Sequence, residues 1–104
     1  MKLSFIFFAL SAASPQFYGE SPPFGSQITR VVGLSNVTIT WDAFYEIGGV
    51  RFFDFPREEF SMPAGMHCSK FNSRGRAICT WKPTDEQIQG VHSHCAMVFD
   101  SYYR

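Results

Sequence analysis

The chain has 104 residues, one domain's worth, and at 45% apolar and 17% aromatic residues, with twelve Phe, it is too hydrophobic to stay disordered. Nine Lys and Arg balance nine Asp and Glu, so there is no basic excess to hold a polyanion by counterion release, and nucleic acid is not an expected partner. A domain this small gains from cross-links.

Met1-Lys2 carries one positive charge, Leu3-Ser4-Phe5-Ile6-Phe7-Phe8-Ala9-Leu10 is a short apolar run, and Ser11-Ala12-Ala13-Ser14 are small. That is the layout of a secretory signal peptide, over residues 1–14, with cleavage after Ala13 or Ser14. The alternative is a buried N-terminal strand. Loss of the leader removes Lys2 and leaves eight positive against nine negative side chains, a net charge of −1. The run is too short to span a bilayer as a helix, and no later segment is long and apolar enough.

Residues 15–27 are rich in Pro, Gly and Ser and read as an extended arm; residues 28–104 read as a single β-rich domain. Ile28–Val32 and Asn36–Trp41 read as strands with Gly33-Leu34-Ser35 turning between them. Asn36-Val37-Thr38 is a glycosylation sequon. Val37, Ile39 and Trp41 alternate with Asn36, Thr38 and Thr40, which sets Asn36 on the wet face. Asp42 reads as the cap of a short helical turn over Ala43–Ile47, stopped by Gly48-Gly49. Val50–Phe55 is a further strand ended by Pro56, and 57–66 reads as loop.

His67–Lys82 is the most informative stretch. The numbers of Cys68 and Cys79 sum to that of Ser73 and Arg74. A hairpin centred between Ser73 and Arg74, flanked by the turn residues Asn72 and Gly75, therefore sets Cys68 opposite Cys79, close enough for a disulfide. Three cysteines leave one over. That one is Cys95 in this pairing, either buried or available for a dimer; pairings of Cys95 with Cys68 or with Cys79 are the rivals. Thr84-Asp85-Glu86-Gln87 fits a capping box for one helical turn ending at Gly90. Val91–Phe99 is the last strand, with His92, His94, Ala96 and Val98 on one face. The fold class expected is mainly β: a small antiparallel sheet, sandwich or curled, with at most one or two short helical turns and one disulfide.

His92 and His94 could chelate a metal, but no carboxylate or Cys stands at recognised ligand spacing, so they read as two surface histidines, with no metal and no cofactor expected. No nucleophile motif or phosphate loop is present.

Three segments occur in order: Glu59-Phe60-Ser61-Met62-Pro63, Arg74-Gly75-Arg76-Ala77-Ile78 and Gln87-Ile88-Gln89-Gly90-Val91-His92-Ser93-His94. They resemble the back half of the microbial guanyl-specific ribonucleases, a scaffold shared by the RNase-like secreted effectors of plant-pathogenic fungi. The resemblance implies Glu59 as general base, His94 as general acid and Arg76 as the cation that stabilises the transition state, one acceptor, one donor and one positive charge for in-line attack of a 2′-hydroxyl. The chain departs from that pattern: no His precedes His67, no Cys lies near the end, and no helical pattern precedes residue 42. A relative of this kind would be inactive. The function expected is thus a small secreted interaction protein of effector or virulence type acting on a host or extracellular protein, not an enzyme and not membrane-bound. The alternative is a secreted ribonuclease-like protein that binds or cleaves RNA.

Overall fold

The computed structural model describes residues 2–11, 15–23, 27–31, 36–88 and 90–99. They form nine strands: β1 (Lys2–Ser11), β2 (Gln16–Tyr18), β3 (Gln27–Val31), β4 (Val37–Ile47), β5 (Val50–Phe52), β6 (Arg57–Ser61), β7 (Met66–Cys68), β8 (Arg76–Trp81) and β9 (Val91–Phe99). No helix occurs among the described residues. One sheet runs β3-β1-β9-β6; the other runs β2-β4-β8-β7, with β5 also paired to β4. Every pairing is antiparallel except β1 with β9. The mainly β class with one disulfide is therefore the observed architecture.

β4 is the axis of its sheet. Val37, Ile39 and Trp41 are buried and Asn36 and Thr38 exposed, as the alternation predicts, so the sequon lies at the wet start of the strand. The strand then continues through Asp42–Ile47, where a helical turn is expected from sequence. Ala43, Phe44 and Tyr45 are buried in succession, a run without alternation because both faces are covered. Asp42 does not cap a helix. The Ser21 hydroxyl accepts from the Asp42 N–H (2.6 Å) and donates to its carbonyl (2.8 Å), standing in for a strand neighbour. Gly48 and Gly49, both at positive φ, turn β4 into β5.

The expected hairpin forms in the expected register, Cys68↔Cys79, and carries the Cys68–Cys79 disulfide, leaving Cys95 free. Its tip is a three-residue loop. The Gly75 N–H donates to the Asn72 carbonyl and the Asn72 N–H to the Arg76 carbonyl, both at 2.9 Å. Gly75 takes the left-handed conformation (φ 77°) that such a loop requires. It is also crowded: a Cβ there would collide with the Ala43 carbonyl oxygen and the Phe53 ring. The Gly75 carbonyl accepts from the Ala43 N–H at 2.9 Å, which continues the β4–β8 ladder past the end of β8.

Other expectations are corrected. The arm contains β2, and Pro15 and Pro22 are buried. β3 pairs with β1, not with β4, so the two strands on either side of residues 32–35 lie in different sheets; the turn itself lies outside the described residues. β5 stops at Phe52. Residues 57–61, read as loop, are β6, which pairs with β9. The box at Thr84 forms reciprocally, the Gln87 N–H donating to Thr84 Oγ1 (3.3 Å) and the Thr84 N–H to Gln87 Oε1 (2.9 Å), but it closes a turn and not a helix.

The sheets meet over Val37, Ile39, Trp41, Met66, Ala77, Cys79, Trp81 and Ala96, with Phe17, Phe60 and Phe71 packed against them. Trp41 and Trp81 are the largest fully buried side chains, each contributing about 4–6 kcal/mol as an upper bound. The Trp81 indole N–H is satisfied by the Ala64 carbonyl at 2.8 Å.

Candidate functional site

Three places on this frame carry chemistry: a buried histidine, a charged cleft and an aromatic groove.

His94, on β9, is fully buried, which corrects its reading as a surface residue. Trp41 Nε1–H donates to His94 Nε2 at 2.8 Å, and His94 Nδ1 lies 2.8 Å from the Ser61 carbonyl. An indole only donates and a carbonyl only accepts, so the ring is neutral with its proton on Nδ1. Burial lowers its pKa below the usual 6.5 and outweighs the raising effect of the Ser61 carbonyl. Protonation would set an N–H at Nε2 against the Trp41 N–H. His94 thus links β9 to β4 and β6, and its proton has no path to a substrate. His92, on the same strand face, is half-buried. Its Nε2 lies 2.8 Å from the Gln87 carbonyl and its ring packs edge-on to Trp81.

The sulfurs of Cys68 and Cys79 and a ring nitrogen of His94 lie within 4.8 Å of one another, a set that could hold a metal ion. The two sulfurs are bonded to each other and lack the thiolate charge a metal ligand supplies, and both ring nitrogens are hydrogen-bonded. This state is a packed core.

Arg76, the cation of the resemblance, lies in the charged cleft with Tyr18, Gly19, Glu20, Asp42, Asn72 and Arg74. Its guanidinium clasps the buried Asp42 carboxylate through Nε–H to Oδ1 (2.7 Å) and Nη2–H to Oδ2 (3.1 Å), and reaches Glu20 at 2.8 Å. The Glu20 N–H also donates to Asp42 Oδ2 at 3.0 Å. Burial pushes the Asp42 carboxyl up, but the bonds from Arg76 and the Glu20 N–H prevail and its pKa is lowered. Arg76 is committed to tying β8 to β4 and the β2 turn. Glu59, the base of the resemblance, is exposed on β6 and ion-paired to Arg57. The structure does not assemble the three residues into one centre: Glu59 faces solvent, Arg76 is held by carboxylates and His94 is enclosed.

Sequence reading passed over the aromatic groove, a depression of about 570 Å³. Arg51-Phe52-Phe53-Asp54-Phe55-Pro56, Glu58 and the hairpin residues Phe71, Asn72 and Ser73 line it. Phe52 stacks on Tyr45 (5.4 Å between centroids), Phe55 meets Tyr45 and Phe71 edge-on (5.9 and 5.3 Å), and Phe71 stacks on Phe60 (5.8 Å). Phe60 in turn stacks on His94. An aromatic path therefore runs from the exposed Phe52 to the buried His94. The available signal was the density of the run: three Phe in four residues exceed what one buried face of a short strand absorbs, so some must face solvent.

Two carboxylates are fixed in this groove. Glu58 Oε2 accepts from the Phe71 N–H at 2.8 Å and Asp54 Oδ1 from the Tyr45 hydroxyl at 3.0 Å. The Arg51 guanidinium lies over the Phe44 ring, 4.2 Å from its centroid, and 3.9 Å from Glu46. No family model, curated protein or solved structure matches the chain.

Proposed function

We propose that the chain is a small secreted protein that acts by binding another protein, of a host or of the extracellular space, and not by catalysis. The observation that carries this reading is the groove: part-exposed Phe rings on a rigid frame, flanked by fixed polar groups, are the composition of a protein-contact surface. The ribonuclease alternative has less behind it, because His94 is enclosed and Arg76 is paired with Asp42 and Glu20. Export rests on the leader pattern and the sequon, and the disulfide suits an oxidising compartment. Export has a structural consequence. Lys2–Ser11 form β1, paired with β9 over eight positions, so cleavage removes a strand and opens one edge of β9, the strand that carries the free Cys95.

The test has two arms. A photo-crosslinking residue at Phe52, with one at Val91 in the other sheet as control, is exposed to the host's extracellular proteins. The result expected is an adduct from position 52 only, suppressed by unlabelled wild-type protein and not by a Phe52→Ser competitor. In parallel, the purified protein is incubated with RNA. Hydrolysis that Glu59→Gln abolishes would overturn the binding reading, as would equal adducts from both positions. Mass measurement of the protein in the medium checks export: a chain beginning at Ser14 or Pro15 is expected, and one still carrying Lys2–Ser11 contradicts the leader.

A further inference from the structure

We propose that the occupant of the groove is a cationic side chain, lysine or arginine, presented by the protein partner. This deepens the reading just given and rests on it.

The groove pairs aromatic walls with negative charge. Among the described residues the ion pairs join Arg51 to Glu46, Arg57 to Glu59, and Arg76 to Glu20 and Asp42. Neither Asp54 nor Glu58 belongs to any of them. Each is nonetheless held by one oxygen through a hydrogen bond from the protein's own frame. The second oxygen of each carboxylate has no such bond among the described residues. The charge is therefore positioned without being neutralised, at little further ordering cost to a ligand.

The rings supply the rest. The faces of Phe52, Phe53, Phe55 and Phe71 are negative, and a cation within about 6 Å of a ring centroid is attracted to it. An anion would meet both the rings and the two carboxylates unfavourably. A neutral apolar side chain would fill the space but leave the carboxylates facing a dry surface, which costs free energy. Arg51, the one cation in the lining, is compensated by Glu46 and covered by Phe44. The complementary occupant is thus a long stem ending in a positive charge, the stem against the Phe rings and the head between Asp54 and Glu58.

The test uses the intact protein. N-acetyl-lysine methylamide and N-acetyl-arginine methylamide are titrated while the ring resonances of Phe52, Phe53, Phe55 and Phe71 are followed by NMR. N-acetyl-norleucine methylamide is the neutral control and N-acetyl-glutamate methylamide the anionic one. The two cations are expected to give saturable shifts confined to the groove, and the controls none. Glu58→Gln and Asp54→Asn keep a carbonyl oxygen for the Phe71 N–H and the Tyr45 hydroxyl. Each should weaken binding about tenfold, the worth of a hydrogen bond to a charged group, with the urea midpoint unchanged. Norleucine binding as well as lysine, or cations that move no groove ring, would overturn the proposal. Adducts at Phe52 without cation binding would sink this proposal alone. Cation binding without any adduct would leave the site standing and sink the binding function.

Discussion

The centre around His94 and the groove beside Phe71 are parts of one aromatic path, and they differ in what their polar atoms do. At the centre, the Trp41 N–H, both His94 nitrogens and the Trp81 N–H meet partners within the protein, and the rings are enclosed. At the groove, Asp54 and Glu58 are each held by one oxygen only, and Phe52 keeps 37% of its surface exposed. One residue class can hold a fold or offer a surface. Closure of the hydrogen-bond accounts separates the two uses, not the number of rings.

The comparison is broken or sharpened by graded substitutions. Trp41→Ala should cost most, about 4 kcal/mol or more, because it opens a cavity and strands His94 Nε2; equilibrium urea unfolding measures it. Reduction of Cys68–Cys79 should follow at about 3 kcal/mol, the expectation for a short loop, read as a drop in urea midpoint that the double Ser variant reproduces. Gly75→Ala should cost about 2 kcal/mol, since a side chain at that φ is strained and meets the Ala43 carbonyl. Phe52→Ala should cost less than about 1 kcal/mol, as expected of a ring that is only partly buried at the surface. A groove substitution that destabilised as much as Trp41→Ala would erase the distinction.

Acid should act on the centre through His94. The His94 pKa is lowered in the folded state, so below about pH 6.5 the unfolded chain takes up a proton that the native ring refuses. Its contribution is complete above pH 6.5 and is lost as the pH falls from there toward the native value. His94→Gln, which keeps an acceptor for Trp41, should flatten that part of the stability profile measured by urea unfolding.

The hairpin was legible in the sequence because its register is an arithmetic constraint: two cysteines, a turn centre and a loop glycine agree. β9 was legible in its full span as a run free of Pro and Gly that follows Gly90 and ends in apolar residues. β4 was misread after Trp41 because burial on both faces erases alternation, and an Asp before Ala and two aromatics looks like a cap. β6 was hidden by Arg57-Glu58-Glu59, three charges on a strand that buries only part of Glu58 and Phe60. The groove was legible only as the surplus of Phe over residues 52–55, since it joins residues 51–58 to the hairpin tip at 71–73, a contact that only the tertiary fold creates. The burial of His94 was half visible: the sequence placed it on the Ala96 and Val98 face, and that face turned out to be the core.

The most direct test of the account is the state of the His94 ring, followed by two-bond ¹H–¹⁵N NMR from pH 8 to pH 4. The account predicts a neutral ring protonated at Nδ1, with its Nε2 held by the Trp41 N–H and titration only below pH 6.5. A ring that titrates at or above pH 6.5, or that carries its proton on Nε2, would contradict it and return His94 to the role of a general acid.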